Sequence, residues 1–175
     1  MDTIAVLDFG GQYSHLIGRR IREQGIYAKI LSSDTTSEEL GQIEDLRGII
    51  LSGGAASVYS DQSPKPDPKI LEMGLPVLGI CYGHQLIAQL SGGEVEAGEV
   101  GEFGTTALNV KDENSELLSG LDTKEEVWMN HKDRVTDMPP QFDILASTES
   151  SPIAVFVDNS QKLYGVQFHP EVILP

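Results

Sequence analysis

Cys81 is the single cysteine in 175 residues, and the residues around it suit a nucleophile. It lies in Gly79-Ile80-Cys81-Tyr82-Gly83, after the apolar run Pro76-Val77-Leu78-Gly79-Ile80 and before Gln85 to Leu90, which has helical character. A nucleophile held on a sharp strand-to-helix bend needs this frame. The bend strains the backbone, and positions two residues away must lack side chains so that strand and helix can approach. Such a bend aims the sulfur into open space. The start of the next helix directs positive potential at it and favours the thiolate. The backbone N–H of Tyr82 then faces the place where an oxyanion would form.

A thiolate nucleophile needs a proton partner. Among His15, His84, His131 and His169, only His169 has a carboxylate close by in an arrangement that proline fixes, in His169-Pro170-Glu171. Proline biases the preceding residue to extended backbone and fixes its own φ. In an extended segment, residues i and i+2 face the same way with α-carbons about 7 Å apart, a gap that imidazole and glutamate can bridge. Glu171 is expected to hold one ring nitrogen of His169 and leave the other for Cys81, as in a triad. Val166 and Phe168 suggest a strand that carries the histidine toward the sheet.

The elements needed to hold these groups are legible as alternating strands and helices. Ile4–Leu7, Tyr27–Leu31, Gly48–Leu51 and Pro76–Ile80 read as strands. Helical spacing follows at Tyr13 to Ile21 with a stop at Gly25, at Glu38 to Ile43, and at Gln85 to Leu90; Lys69 to Met73 allows a turn or two. A loop with three prolines runs from Tyr59 to Pro68. This order predicts an α/β fold, a doubly wound, mostly parallel central sheet with helices on both faces. Gly10-Gly11, Gly53-Gly54 and Cys81 fall at strand carboxyl ends, where such sheets bind ligands. The second half carries β-like runs at Thr105–Val110, Val127–Asn130, Ile144–Ser147, Ala154–Asp158 and Leu163–Phe168. Turn signals at Asp112–Asn114, Pro139-Pro140 and Asp158-Asn159 separate them, which predicts antiparallel additions or a small second layer. Residues 1–175 read as a single domain.

Composition narrows the function. Lys+Arg number 12 and Asp+Glu 27, a formal charge of −15. That balance opposes nucleic-acid binding, which needs a basic stripe, and association with anionic membranes. The largest basic cluster, Arg19, Arg20 and Arg22, reads as a solvated helix face. No apolar run approaches the ~20 residues that span a bilayer. A lone cysteine and a start without a basic leader favour a cytoplasmic setting. Ser52-Gly53-Gly54-Ala55-Ala56-Ser57 resembles a pyrophosphate-binding pattern, but it lacks the Asp before the last Ser and follows the third strand. Asp8-Phe9-Gly10 has no kinase motif upstream, and no histidine–cysteine spacing suits zinc.

Four blocks resemble class I (triad-type) glutamine amidotransferases, which are flavodoxin-like, across essentially the whole chain. They are Asp8-Phe9-Gly10-Gly11-Gln12-Tyr13, Leu51-Ser52-Gly53-Gly54, Gly79 to Gln85, and Gly165 to Val172. Glu102-Phe103-Gly104 and Val127 to Asp133 are similar to the branch of that family found in GMP synthases. The resemblance implies glutamine as substrate, Cys81 as nucleophile, His169 and Glu171 as its partners, and Gly54 with Tyr82 as oxyanion donors. Gly53, Gln85, Asn130, Lys132 and Asp133 would hold the substrate. It implies no cofactor in this chain, and a separate ATP-pyrophosphatase subunit that carries ATP and Mg²⁺ and converts XMP to GMP. Anthranilate- or carbamoyl-phosphate-type amidotransferases, a γ-glutamyl hydrolase or cysteine peptidase, and a non-catalytic glutamine sensor are the alternatives. The chain departs from the family at Ala55, where proline is usual, at Gly11, where serine is frequent, and at Asn130 and Lys132, where serine and glycine are common. Relatives continue past Pro175 into a terminal helix.

Overall fold

In a computed structural model that describes residues 1–111 and 115–174, the four N-terminal apolar runs form parallel strands. They are β1 (Thr3–Asp8), β2 (Tyr27–Ser32), β3 (Leu46–Leu51) and β4 (Val77–Ile80). Between and after them run α1 (Ser14–Glu23), α2 (Ser37–Gly41), a 3₁₀ segment (Pro68–Glu72) and α3 (Tyr82–Leu90). Thr36 caps α2, its side chain accepting from the Glu39 N–H while the Glu39 carboxylate accepts from the Thr36 N–H. Gly25, at φ +78, ends the turn after α1, a conformation that costs glycine little.

The second half extends the same sheet. β5 (Glu94–Val110), β6 (Lys124–Asp137), β7 (Asp143–Ser147), β8 (Val155–Asp158) and β9 (Leu163–Val166) follow in sequence. The strand order is β2-β1-β3-β4-β9-β8-β7-β5-β6. Pairing is parallel from β2 through β9 and antiparallel beyond it. This is the expected α/β sheet with its antiparallel additions, which join the edge rather than form a second layer.

Two expected strands are longer than their apolar runs. Thr105–Val110 and Val127–Asn130 are parts of a 17-residue strand and a 14-residue strand that pair as a long hairpin. Gly98, Gly101 and Gly104, interleaved with Glu94, Glu96 and Glu99, hide the alternation of β5, and a register shift between Ala97 and Glu102 breaks its period. The turn expected at Asp112–Asn114 lies outside the described residues.

Alternation along the parallel strands divides the core between the two faces. Ala5, Leu7, Ile49 and Leu51 face one side, with Leu40 of α2 and Leu86 and Ile87 of α3. Val6 and Ile80 face the other, with Ile17 of α1. Burying each such large side chain contributes roughly 1.5–3 kcal/mol.

The bend after β4 depends on backbone proximity. A Cβ at Gly79 would meet the Gly83 carbonyl, and one at Gly83 would meet the Leu51 carbonyl of β3. Neither obstacle can rotate aside. Gly83→Ala is expected to cost roughly 3 kcal/mol, overpacking against fixed backbone. Urea unfolding should register it as a lower midpoint with the slope unchanged.

Candidate active site

Strand pairing brings the middle of the chain beside its C-terminal segment. Ile80 of β4 lies opposite Val166 of β9, and the Cys81 N–H donates to the Val166 carbonyl at 2.9 Å. Cys81 caps α3 at φ 55, ψ −107, a region where a non-glycine residue stores about 1–3 kcal/mol of strain. Cys81 is only 3% exposed, yet two cavities open on it, so the sulfur is not sealed in apolar packing. Its Sγ donates to the Asn130 carbonyl at 3.6 Å.

The segment that follows β9 differs from the expected extended one. β9 ends at Val166, and the Val172 N–H donates to the His169 carbonyl at 3.3 Å, closing a turn. Pro170 sits second in that turn, where its fixed φ is favoured. The turn still places Glu171 Oε1 2.6 Å from His169 Nδ1. The His169 N–H is anchored on the Trp128 carbonyl at 2.9 Å.

Gly53 lets the imidazole meet the cysteine. A Cβ there would lie 3.0 Å from His169 Cε1 and 3.4 Å from Cys81 Cβ. Burial pulls the His169 pKa down, but hydrogen bonding and charge from Cys81 and Glu171 outweigh it and raise the pKa to about 9. The other edge of the site contributes Tyr13, whose ring meets His169 edge-on with centroids 5.2 Å apart.

Tyr82 opens α3, so its N–H belongs to the first turn, whose donors have no partner within the helix. Its phenol is fixed by donating to the Pro64 carbonyl at 2.8 Å. Gly54 lies beside Cys81 in the walls of both cavities, and a Cβ there would fall 2.5 Å from the Phe9 carbonyl oxygen. The loops after β1 and β3 are cross-tied: Ser52 Oγ accepts from the Phe9 N–H at 2.9 Å, and the Gly11 N–H donates to the Gly53 carbonyl at 3.1 Å. A Cβ at Gly11 would lie 2.5 Å from that carbonyl oxygen, so this loop shape excludes serine there.

Gln85, Asn130, Lys132 and Asp133 line the same cavity, of about 480 Å³. Gln85 Nε2 donates to the Asp133 carbonyl at 3.0 Å and to Gln167 Oε1 at 3.1 Å. Both its N–H groups are therefore committed to the wall, and the amide oxygen is what remains for a ligand. The Asp133 carboxylate accepts from Ser57 Oγ at 2.7 Å and from the Tyr59 hydroxyl at 2.9 Å. Asn130 and Lys132 present exposed side chains.

The other three histidines have different settings. His15 is exposed on α1. His131 shares Nδ1 with the Asp133 carbonyl at 2.6 Å and Nε2 with Glu102 at 2.8 Å. Burial pushes the Glu102 carboxyl up, but hydrogen bonds from His131, Thr148 and Ser151 hold it below its ordinary value. That network pins the hairpin that carries Asn130 and Asp133. His84 is wholly buried against Phe156, with ring centroids 4.7 Å apart, and burial, with His131 nearby, drives its pKa down to about 3. Among the described residues, neither of its ring nitrogens completes a hydrogen bond.

Several residues with clear roles in this geometry escape sequence reading. Arg20, expected on a solvated face, donates from Nε to the Glu171 carbonyl at 2.9 Å and steadies the turn. Tyr13, Ser57 and Tyr59 act through partners far away in sequence. No local spacing encodes such contacts.

The family model for "Glutamine amidotransferase class-I" matches residues 5–175. A GMP synthase [glutamine-hydrolyzing] of Trichormus variabilis is 50% identical over 170 residues, which cover 97% of this chain and 31% of that protein. One from Caldanaerobacter subterraneus subsp. tengcongensis is 50% identical over 171 residues, 98% of this chain and 33% of that protein. The chain thus spans about a third of the length of these relatives. The crystal structure of a GMP synthase subunit from Thermoplasma acidophilum superposes with TM-score 0.85 at 34% identity, covering 98% of this chain and 85% of that one. A glutamine amidotransferase from Thermotoga maritima shares the fold, with TM-score 0.78 at 22% identity over 98% of this chain and 76% of that one.

Proposed function

The chain belongs to the class I glutamine amidotransferase family, and from that premise we propose that it hydrolyses glutamine at Cys81 and supplies the ammonia to a GMP-forming synthetase. The observation that carries this reading is the meeting of Cys81, on its strained bend, with an imidazole held at 2.6 Å by Glu171. Cys81 Sγ attacks the side-chain amide carbon of glutamine. The tetrahedral oxyanion rests on the N–H groups of Gly54 and Tyr82. The C–N bond breaks as His169 gives its proton to the leaving nitrogen, which departs as NH₃. Water then attacks the γ-glutamyl thioester, with His169 as base, and the C–S bond breaks to release glutamate and free Cys81. Glu171 orients the imidazole throughout.

The residues that hold glutamine are proposed on the same basis. Asp133 suits the α-ammonium and Lys132 the α-carboxylate, with Gly53, Gln85 and Asn130 completing the wall. Tyr59 then acts by fixing the Asp133 carboxylate. Tyr59→Phe is expected to raise KM for glutamine roughly five-fold, with kcat within about two-fold, because a hydrogen bond to a carboxylate at a partly exposed site is worth about 1 kcal/mol. Steady-state ammonia release across a glutamine series measures both constants, and an unchanged KM would remove Tyr59 from the site.

The partner is an ATP-pyrophosphatase subunit or segment that holds ATP and Mg²⁺ and activates XMP. Among the described residues, no helix is long and apolar enough to cross a membrane. The test combines the chain with such a synthetase, ATP, Mg²⁺, XMP and glutamine. GMP should form at the expense of glutamine. GMP formation from ammonium salts but never from glutamine would overturn the reading.

A further inference from the structure

One face of α1 lies against the turn that carries His169 and Glu171. Tyr13, Ile17 and Arg20 fall at i, i+4 and i+7, so they point the same way over two helical turns. Tyr13, at the start of the helix, meets the His169 ring edge-on, with centroids 5.2 Å apart and planes at 68°. Ile17 packs in the apolar cluster that holds Cys81 and Phe168. Arg20 donates from Nε to the Glu171 carbonyl at 2.9 Å, and its Nη1 donates to the two carboxylate oxygens of Glu23 at 3.1 and 3.0 Å. The helix is itself fastened at its start: Asp8 Oδ1 accepts from the Gly10 N–H at 2.9 Å and from Ser14 Oγ at 2.8 Å. β9 ends at Val166, so its pairing with β4 stops short of the imidazole.

We propose that α1 is a brace for the His169–Glu171 pair, with Tyr13 and Arg20 as positioning residues that act together. This rests on the glutaminase reading and adds two residues that work through the imidazole. The single hydrogen bond between Nδ1 and Glu171 is a pivot. The ring can turn about it and carry Nε2 away from Cys81 without breaking it. A second contact on the ring removes that freedom, and Tyr13 supplies it. Glu171 needs the same help one step back. Its carboxylate stands where the backbone of the turn puts it, and the peptide after Glu171 can rotate unless its carbonyl is held. Arg20 holds that carbonyl, and Glu23 keeps the guanidinium turned toward it. His169 acts twice in each cycle, as acid on the leaving nitrogen and as base on water, so its position governs both steps. Both contacts come from one helix, so they fix the ring and the carboxylate in a common frame. Displacing a reacting group by about 1 Å can cost on the order of 10²-fold in rate. Asp133, which faces the α-ammonium in the proposed pose, is held instead by Ser57 and Tyr59, so loss of the brace leaves glutamine binding in place.

Removing each contact singly and together tests the brace. Tyr13→Leu and Arg20→Met, which keep apolar bulk, are assembled with the synthetase and followed by ammonia release across a glutamine series. Each is expected to lower kcat at least about five-fold with KM within about two-fold of wild type. Tyr13→Phe keeps the ring and is expected to restore at least about half of the wild-type kcat. The double variant is expected to fall no more than about three-fold below the slower single variant, because both contacts hold one unit. Leu40→Val on α2, across the sheet, controls for stability alone: it should lower the urea midpoint while kcat stays within about two-fold. The proposal fails if either single variant keeps its kcat, if KM carries the loss, if Tyr13→Phe is as slow as Tyr13→Leu, if the two losses multiply, or if Leu40→Val slows turnover as much as they do. Failure of the underlying glutaminase reading looks different: the wild-type assembly would release no ammonia from glutamine.

Discussion

Cys81→Ala is expected to lower ammonia release from glutamine by at least about 10⁴-fold while ammonium-driven GMP synthesis by the proposed synthetase partner continues at its wild-type rate. The size follows from what the sulfur does. Without it no thioester forms, and hydrolysis falls back on oxyanion stabilisation and binding acting on a poorly placed water. The split between nitrogen sources follows from location. Cys81 sits where β4 ends, and its substitution removes a sulfur that faces two cavities rather than opening a void in the core. The fold is therefore left intact. Cys81→Ser should remain nearly as inactive, because a hydroxyl is not ionised at neutral pH. Glutamine-dependent turnover above about 1% of wild type in the alanine variant would move the chemistry to another group.

How much of this is legible in sequence depends on the range over which each feature is encoded. The bend at Gly79–Gly83 and the pair at His169 and Glu171 are local patterns, and the structure brings both to one place. Their meeting is encoded only through pairing: β4 beside β9 joins segments more than eighty residues apart. The parallel half is readable because buried strands are short apolar runs bounded by glycine. The β5–β6 hairpin is only partly readable, because its glycines and glutamates obscure the period over residues 94–104. The turn at His169–Val172 reads as extended because proline disfavours helix before it, which leaves both strand and turn open. The clamp of Ser57 and Tyr59 on Asp133, and the hold of Arg20 on Glu171, join residues 74 to 151 apart. Such contacts leave no periodic trace, so a basic triplet on an amphipathic helix reads as solvated until the fold places one of its members beside a functional turn.

Glu171→Gln is expected to lower kcat/KM for glutamine by roughly 10³–10⁴-fold and to change the pH dependence of both activity and stability. The activity loss follows from His169: an amide cannot stabilise the imidazolium, and it can present its N–H to Nδ1 and impose the wrong tautomer. The pH effect follows from the ionisation of the ring. Cys81 and Glu171 together raise His169 to about 9 against burial, above its ordinary 6.5. Between these values the folded chain binds a proton that the unfolded chain releases. By linkage, the contribution to stability is complete below about pH 6.5 and is lost as pH rises through about 9. A gap of that size corresponds to something on the order of 3 kcal/mol. Urea midpoints should therefore fall from pH 6.5 to 9.5 in the wild type, and the fall should be smaller in Glu171→Gln, which lacks one of the groups that raise the ring. The alkaline limb of kcat/KM should move the same way, toward lower pH in the variant. Arg20 supports only the backbone of Glu171, so Arg20→Ala should weaken activity without moving that limb. The same alkaline limb in wild type and Glu171→Gln would mean that the carboxylate aligns the ring but contributes nothing to its charge.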